Sequence, residues 1–174
     1  MGKITVDGFL REYSVAAKQQ GSAMDMFIDK HITTKYVPYM TKCVYCDRIV
    51  KTTCYTKIGD REIVNIDSTS RFLYFTMRLI ELYTDIEFKP EELVQSYDKL
   101  NEVGVIDIIM KAIPKTEYNE FNTFLNMKMD DFRNNNYSIT ALLSNFKESF
   151  SISEEAITEA LKEVTQQTQQ TTNE

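Results

Sequence analysis

The stretch from Thr69 to Tyr83, TSRFLYFTMRLIELY, constrains the fold more than any other part of the chain. Phe72, Phe75, Leu79 and Leu82–Tyr83 recur at helical spacing, and Leu73, Met77 and Ile80 lie beside them. Apolar residues therefore cover most of the circumference, leaving Arg71, Arg78 and Glu81 as the remnant of a polar face. A helix that is apolar nearly all round has to be enclosed by other elements. Asp67 and Ser68 supply its caps, and the rest of the chain has to furnish the surrounding shell.

The shell reads as helical. Only five Gly and three Pro interrupt 174 residues, too few for a turn-rich β fold. One helix is expected from about Gly8 to Lys18, capped by Asp7, with Phe9, Leu10, Tyr13 and Ala16–Ala17 as its stripe and Gly21 ending it. A second begins near Ser22, with Met24, Phe27, Ile28 and His31–Ile32 on one side. A third covers about Pro38 to Thr53, Pro38 suiting a first turn where its missing N–H costs nothing. Its stripe is Tyr39, Cys43, Cys46, Val50 and Cys54, widened by Met40 and Val44. Tyr55 to Ile66 changes character: Gly59–Asp60 is turn chemistry between Ile58 and the run Ile63, Val64, Ile66, which predicts a small β-hairpin or an irregular loop.

Beyond the central helix, Pro90–Glu91–Glu92 opens another with Leu93, Val94, Tyr97 and Leu100 inward. Gly104 suits a helix end. Val105 to Ile113 is short and apolar, stopped by Pro114. Lys115 to about Asn134 is long, with Tyr118, Phe121, Phe124–Leu125, Met127, Met129 and Phe132, and Asn134–Asn136 break it. Ser138 caps a helix with Ile139, Leu142–Leu143 and Phe146. Ser151 or Ser153 starts the last, striped by Ile157, Leu161 and Val164. The chain is thus expected to be all-α, a single compact multi-helix domain over 1–165 of about seven or eight helices, with a small hairpin or loop near 55–66. Residues 166–174 form a Gln/Thr-rich flexible tail without an apolar anchor.

Charge narrows the partners. The formal net charge is −6. Residues 1–60 hold nine Lys/Arg against six Asp/Glu, and residues 61–174 hold eleven against twenty. An acidic chain repels a phosphate backbone on average, so nucleic acid is not an expected partner. Lys30, Lys35, Lys42, Arg48, Lys51 and Lys57 read first as solvated helix faces. No run of about 18 apolar residues exists to span a membrane. The opening MGKITVDGFLREYSV lacks the apolar core of a secretory signal, and Val6 stands where a myristoylation motif has Ser or Thr. Three cysteines and no export signal suggest free thiols.

No constellation of residues amounts to a catalytic, cofactor or metal site. Cys43-x-x-Cys46 with Cys54 and the lone His31 matches zinc in donor type. Yet the three sulfurs share a helical stripe, where free Cys packs as a small hydrophobe. A reactive thiol paired with His31 lacks the helix-terminal setting that lowers a thiol pKa. Asp85, Glu87, Glu91, Glu92, Asp130 and Asp131 are accounted for by solvation or helix-dipole complementarity. Calcium-loop, GxGxxG, P-loop and GxSxG patterns are all missing. The aromatics fall mostly on core stripes, except Tyr36 and Tyr39, which flank Val37–Pro38 beside Lys35 and Lys42 and suggest a contact surface.

The blocks KYVPYMTKCVYCDRIV, STSRFLYFTMRLIELYTDIEF and SYDKLNEVGVIDIIMKAIPKTEYNEFNTFLNMKMDDF, in that order over about Asp7 to Phe150, resemble a group of small helical proteins. That group is encoded by tailed bacteriophages and prophages of low-GC Gram-positive bacteria. The resemblance implies a non-enzymatic structural or assembly protein, in head–tail connection or tail morphogenesis. It would act through contacts with other virion or assembly proteins, in the virion or in the host cytoplasm during assembly, and leaves self-association open. It brings no catalytic residues. The alternative is a small zinc-stabilised nucleic-acid-binding or regulatory module built on Cys43, Cys46 and Cys54 with the basic stretch from Lys30 to Arg61.

Overall fold

The computed structural model describes residues 2–19, 22–138 and 141–142. The expectations for Gly21, Ile139, Leu143, Phe146, the last helix and the Gln/Thr tail lie outside the described residues. The chain divides into two units, 1–128 and 129–174. The described part is mostly α, as the sequence predicts. It runs β1 (Ile4–Thr5), α1 (Val6–Lys18), α2 (Ala23–His31), α3 (Tyr39–Cys54), β2 (Tyr55–Ile58), β3 (Arg61–Val64), α4 (Ser68–Tyr83) and β4 (Ile86–Glu87). A short 3-10 turn (Pro90–Glu92), α5 (Leu93–Glu102), α6 (Val105–Ala112) and α7 (Lys115–Tyr137) follow.

The first unit is built around α4. Met77, Leu79, Ile80 and Tyr83 are fully enclosed, and α4 packs against α3, α5 and β4. Rings join it to α7, with Phe75 lying 5.9 Å from Tyr118 and 6.5 Å from Phe121. Its N-terminus is held by Asp67, whose Oδ1 accepts from the backbone N–H of Thr69 at 3.0 Å and of Ser70 at 2.9 Å. These bonds satisfy two donors that an uncapped helix leaves orphaned. Enclosure is nevertheless incomplete, for Phe72 is 60% exposed.

The hairpin is real: β2 and β3 pair antiparallel from Tyr55↔Val64 to Ile58↔Arg61. Gly59 sits at φ +60°, a left-handed turn position where a Cβ would be strained. A second small sheet is not legible in the sequence pattern. β1 and β4 pair in parallel through Ile4↔Ile86 and Thr5↔Glu87, and Thr84 bridges to Ile32. Strands of two residues carry no period to read.

Several boundaries differ from expectation. Thr5, not Asp7, caps α1, its Oγ1 accepting from Gly8 N–H at 3.2 Å. Asp7 instead pairs with Lys99 at 2.8 Å. Pro38 is the residue before α3, not its first turn. Asn134–Asn136 do not break α7, which continues to Tyr137. In the second unit, Arg133 reaches Asp130 at 3.3 Å and Asn136 Nδ2 donates to the Phe132 carbonyl at 2.8 Å. The Ser138 hydroxyl accepts from Ala141 N–H at 3.2 Å, a capping contact of the expected kind.

Candidate functional site

The face of α3 is rotated from the one its apolar spacing suggests. Its buried residues are Lys42, Cys46, Ile49, Val50, Thr53 and Cys54. Tyr39 is 57% exposed, Met40 67% and Val44 42%, and Tyr36 just ahead of the helix is 64% exposed. Cys43 is half-buried. Lys42, expected on a solvated helix face, is inside the core, while Tyr39, Met40 and Val44, expected on the core stripe, are exposed.

Lys42 can be there because its charge is met. Nζ donates to Glu117 Oε1 at 2.9 Å and also to Glu120 Oε2. The other oxygen of Glu117 accepts from the Tyr83 hydroxyl at 2.6 Å and from Val37 N–H at 2.9 Å. Lys42 is fully buried and Glu117 nearly so. Burial opposes the Lys42 charge, but the bonds to Glu120 and Glu117 outweigh it and hold the ammonium above its ordinary range. Burial likewise opposes the Glu117 charge, and Tyr83, Val37 N–H and Lys42 together pull its carboxyl below the usual range. Burial first, then Glu117, raises the Tyr83 phenol. The cluster ties α3, α4 and α7 together beneath the segment 36–40. Every member is hydrogen-bonded, and the enclosed Lys42 ammonium has no open face for a substrate. Its geometry therefore suits structural fixation rather than chemistry.

Above this network lies the exposed surface. The Tyr36 ring sits 5.2 Å from Lys42 Nζ, close enough for a cation–π contact. Tyr39 meets Phe124 of α7 edge-on at 5.1 Å. The Cys43 thiol beside it raises the Tyr39 phenol above its ordinary value. Met40 and Val44, one turn apart on α3, are exposed as well. Tyr36 and Tyr39 were expected to form a contact surface, and both are placed where a partner can reach them. The rotation of α3 that buries Lys42 turns Met40 and Val44 outward, whereas Tyr36 is exposed ahead of the helix and Tyr39 at its first residue.

A second buried cluster surrounds His31, packed by Phe9 at 5.0 Å and Phe27 at 4.7 Å. Nδ1 lies 2.9 Å from Asp85 Oδ1, and Nε2 lies 3.0 Å from Glu12 Oε2. Lys30 also reaches Glu12. Carboxylates only accept, so both contacts are hydrogen bonds only when both ring nitrogens carry protons. Glu12 is held below the usual carboxylate range, first by Lys30 and then by His31. Asp85, read from the sequence as a solvated loop acid, is in fact buried.

The zinc ligand set is not assembled. Both His31 nitrogens face carboxylates, and the Cys46 thiol points at the Phe121 carbonyl at 3.8 Å. Burial pushes the Cys46 thiol up to about 12, the opposite of an activated nucleophile. Among the described residues, no group of three His, Cys, Asp or Glu side chains converges to hold a metal ion. The basic stretch is broken up as well, with Lys42 buried and Lys30 paired to Glu12. Among the described residues no helix is long and apolar enough to cross a membrane.

Glu117 and Asp85 were missed as site residues. Glu117 had a signal: it steps by four to Phe121 and Leu125, in phase with the core face of α7, just as Lys42 is in phase with Cys46 and Val50 on α3. One opposite charge at a core position on each of two helices is the trace of a buried pair. Asp85 had none, because it depends on a contact with His31, 54 positions away. Comparison of the chain with protein families, curated proteins and solved structures returns no match.

Proposed function

We propose that the chain is a non-enzymatic structural or assembly protein of a tailed bacteriophage, in head–tail connection or tail morphogenesis. It works by presenting the Tyr36–Val44 surface to neighbouring proteins. The observation that carries this reading is the exposure of Tyr36, just ahead of α3, and of Tyr39, Met40 and Val44 in its first two turns, on a helix anchored by the fully buried Lys42. Aromatic residues and Met are the side chains enriched at protein interfaces, and an apolar patch held rigid loses little freedom on binding. The resemblance of the sequence blocks to small helical phage proteins gives the class of partner. The site of action is then the virion, or the host cytoplasm while it assembles.

The test is quantitative mass spectrometry of purified particles and of assembly intermediates from the phage or prophage that encodes the chain. Recovery at a fixed copy number per particle or per intermediate is expected. Its absence from both fractions, while it is abundant in the lysate, overturns the reading.

A further inference from the structure

A cleft of about 430 Å³ opens between α4, α6 and α7, apart from the aromatic surface. Its floor is Phe75, Ile106 and Leu125, each buried, and its wall includes Met110 and the exposed ring of Phe72. An apolar concavity of this size falls within the range of small binding sites. Two carboxamides line it, Asn122 and Asn126, on successive turns of α7. Both residues are exposed, and neither side chain has a hydrogen-bond partner among the described residues.

We propose that this cleft binds an extended peptide segment of a partner protein, with one large apolar side chain seated on the Phe75–Ile106–Leu125 floor. Asn122 and Asn126 hold the peptide backbone. The choice of a peptide over a small solute rests on the contact-protein reading and on the spacing of the carboxamides. Residues four apart on a helix are separated by about 6 Å along the axis. Alternate residues of an extended chain repeat at about 6.7 Å. Each carboxamide offers one acceptor and a pair of donors, the complement of a peptide C=O and N–H. Two of them at this interval match successive peptide units on one side of an extended chain. The remaining charges are Arg71 and Asp107, one of each sign. That lip gives no net attraction to a phosphate backbone and accommodates a peptide of mixed charge.

A displayed library of random ten-residue peptides, panned on the full chain, tests this. The best enriched sequence is then synthesised with a fluorescein label and followed by fluorescence polarisation. Enriched peptides are expected to share a single Leu, Ile, Met or Phe position. Replacing that residue by Ser, or N-methylating the flanking backbone amides, should abolish binding. Asn122→Ala with Asn126→Ala should raise Kd at least about tenfold, the effect of losing two modest hydrogen bonds. Phe72→Ala should weaken binding too, and circular dichroism checks that both variants keep the fold. No enrichment, enrichment without a shared apolar position, or binding indifferent to the Asn and Phe72 changes overturns the proposal. Binding is read on the purified chain, so it fails or survives separately from the recovery of the chain in particles.

Discussion

At the scale of single residues, Lys42 is the most consequential side chain in the described protein. A fully buried ammonium is tolerable only with its partners in place, and removing one partner strands the other. Lys42→Met is expected to destabilise the fold by about 3–5 kcal/mol in urea unfolding, because Glu117 remains buried and charged. Adding Glu117→Gln to that variant should recover part of the loss, since the stranded charge is then gone. A double variant no more stable than Lys42→Met alone would show that the pair is not coupled as drawn. The same pair sets the pH limits. The Glu117 carboxyl lies below its ordinary value of 4.5, so its contribution is present above that pH and is lost as pH falls through its folded value. The Lys42 ammonium lies above its ordinary 10.5, so its contribution is complete below that pH and is lost as pH rises through its folded value. Stability measured against pH should therefore drop on an acid limb that Glu117→Gln flattens and on an alkaline limb that Lys42→Met flattens.

At the scale of elements, the long helices and the hairpin were legible because each has a period, a cap or a turn residue of its own. Asp67 before α4 and Gly59 between β2 and β3 are local signals with local causes. The rotation of α3 was not legible from apolar spacing, because the helix has apolar residues on both sides and a lysine inside. The parallel pair β1–β4 was hidden for another reason: it joins residues over eighty positions apart through only two residues of each strand. Its stability comes from elsewhere. His31 at the end of α2 holds Glu12 of α1 and Asp85 beside β4. Backbone bonds run from Ile4 N–H to the Asp85 carbonyl at 2.9 Å and from Thr33 N–H to the Tyr83 carbonyl at 3.0 Å. His31→Leu keeps the packing against Phe9 and Phe27 but leaves the Asp85 carboxylate buried without its imidazole. A loss of about 3 kcal/mol is expected, with faster hydrogen exchange at the Ile4 and Thr33 amides than at amides within α4. Uniformly faster exchange would mean that His31 supports the whole unit rather than this junction.

At the scale of the whole molecule, stability and association are separable. The groups that fix the fold, Lys42, Glu117, Tyr83, His31 and Asp85, are enclosed, whereas Tyr36, Tyr39, Met40 and Val44 reach solvent. Substituting exposed residues away from such networks changes stability little. Tyr39→Asp with Met40→Asp should therefore leave the urea midpoint nearly unchanged, apart from the Tyr39–Phe124 ring contact. If the surface carries association, truncating central aromatic and apolar anchors costs about 2 kcal/mol or more, a loss of roughly thirtyfold in affinity. The two carboxylates also make a matching apolar patch on a partner unfavourable to bury. The measurement is incorporation of the variant into particles in competition with the unaltered chain, both supplied at equal level. Exclusion of the variant with an unchanged unfolding midpoint assigns association to the Tyr36–Val44 surface. Equal incorporation removes that surface from the account and leaves the α4–α6–α7 cleft, read by peptide binding on the purified chain, as the next face among the described residues through which an assembly role would be tested.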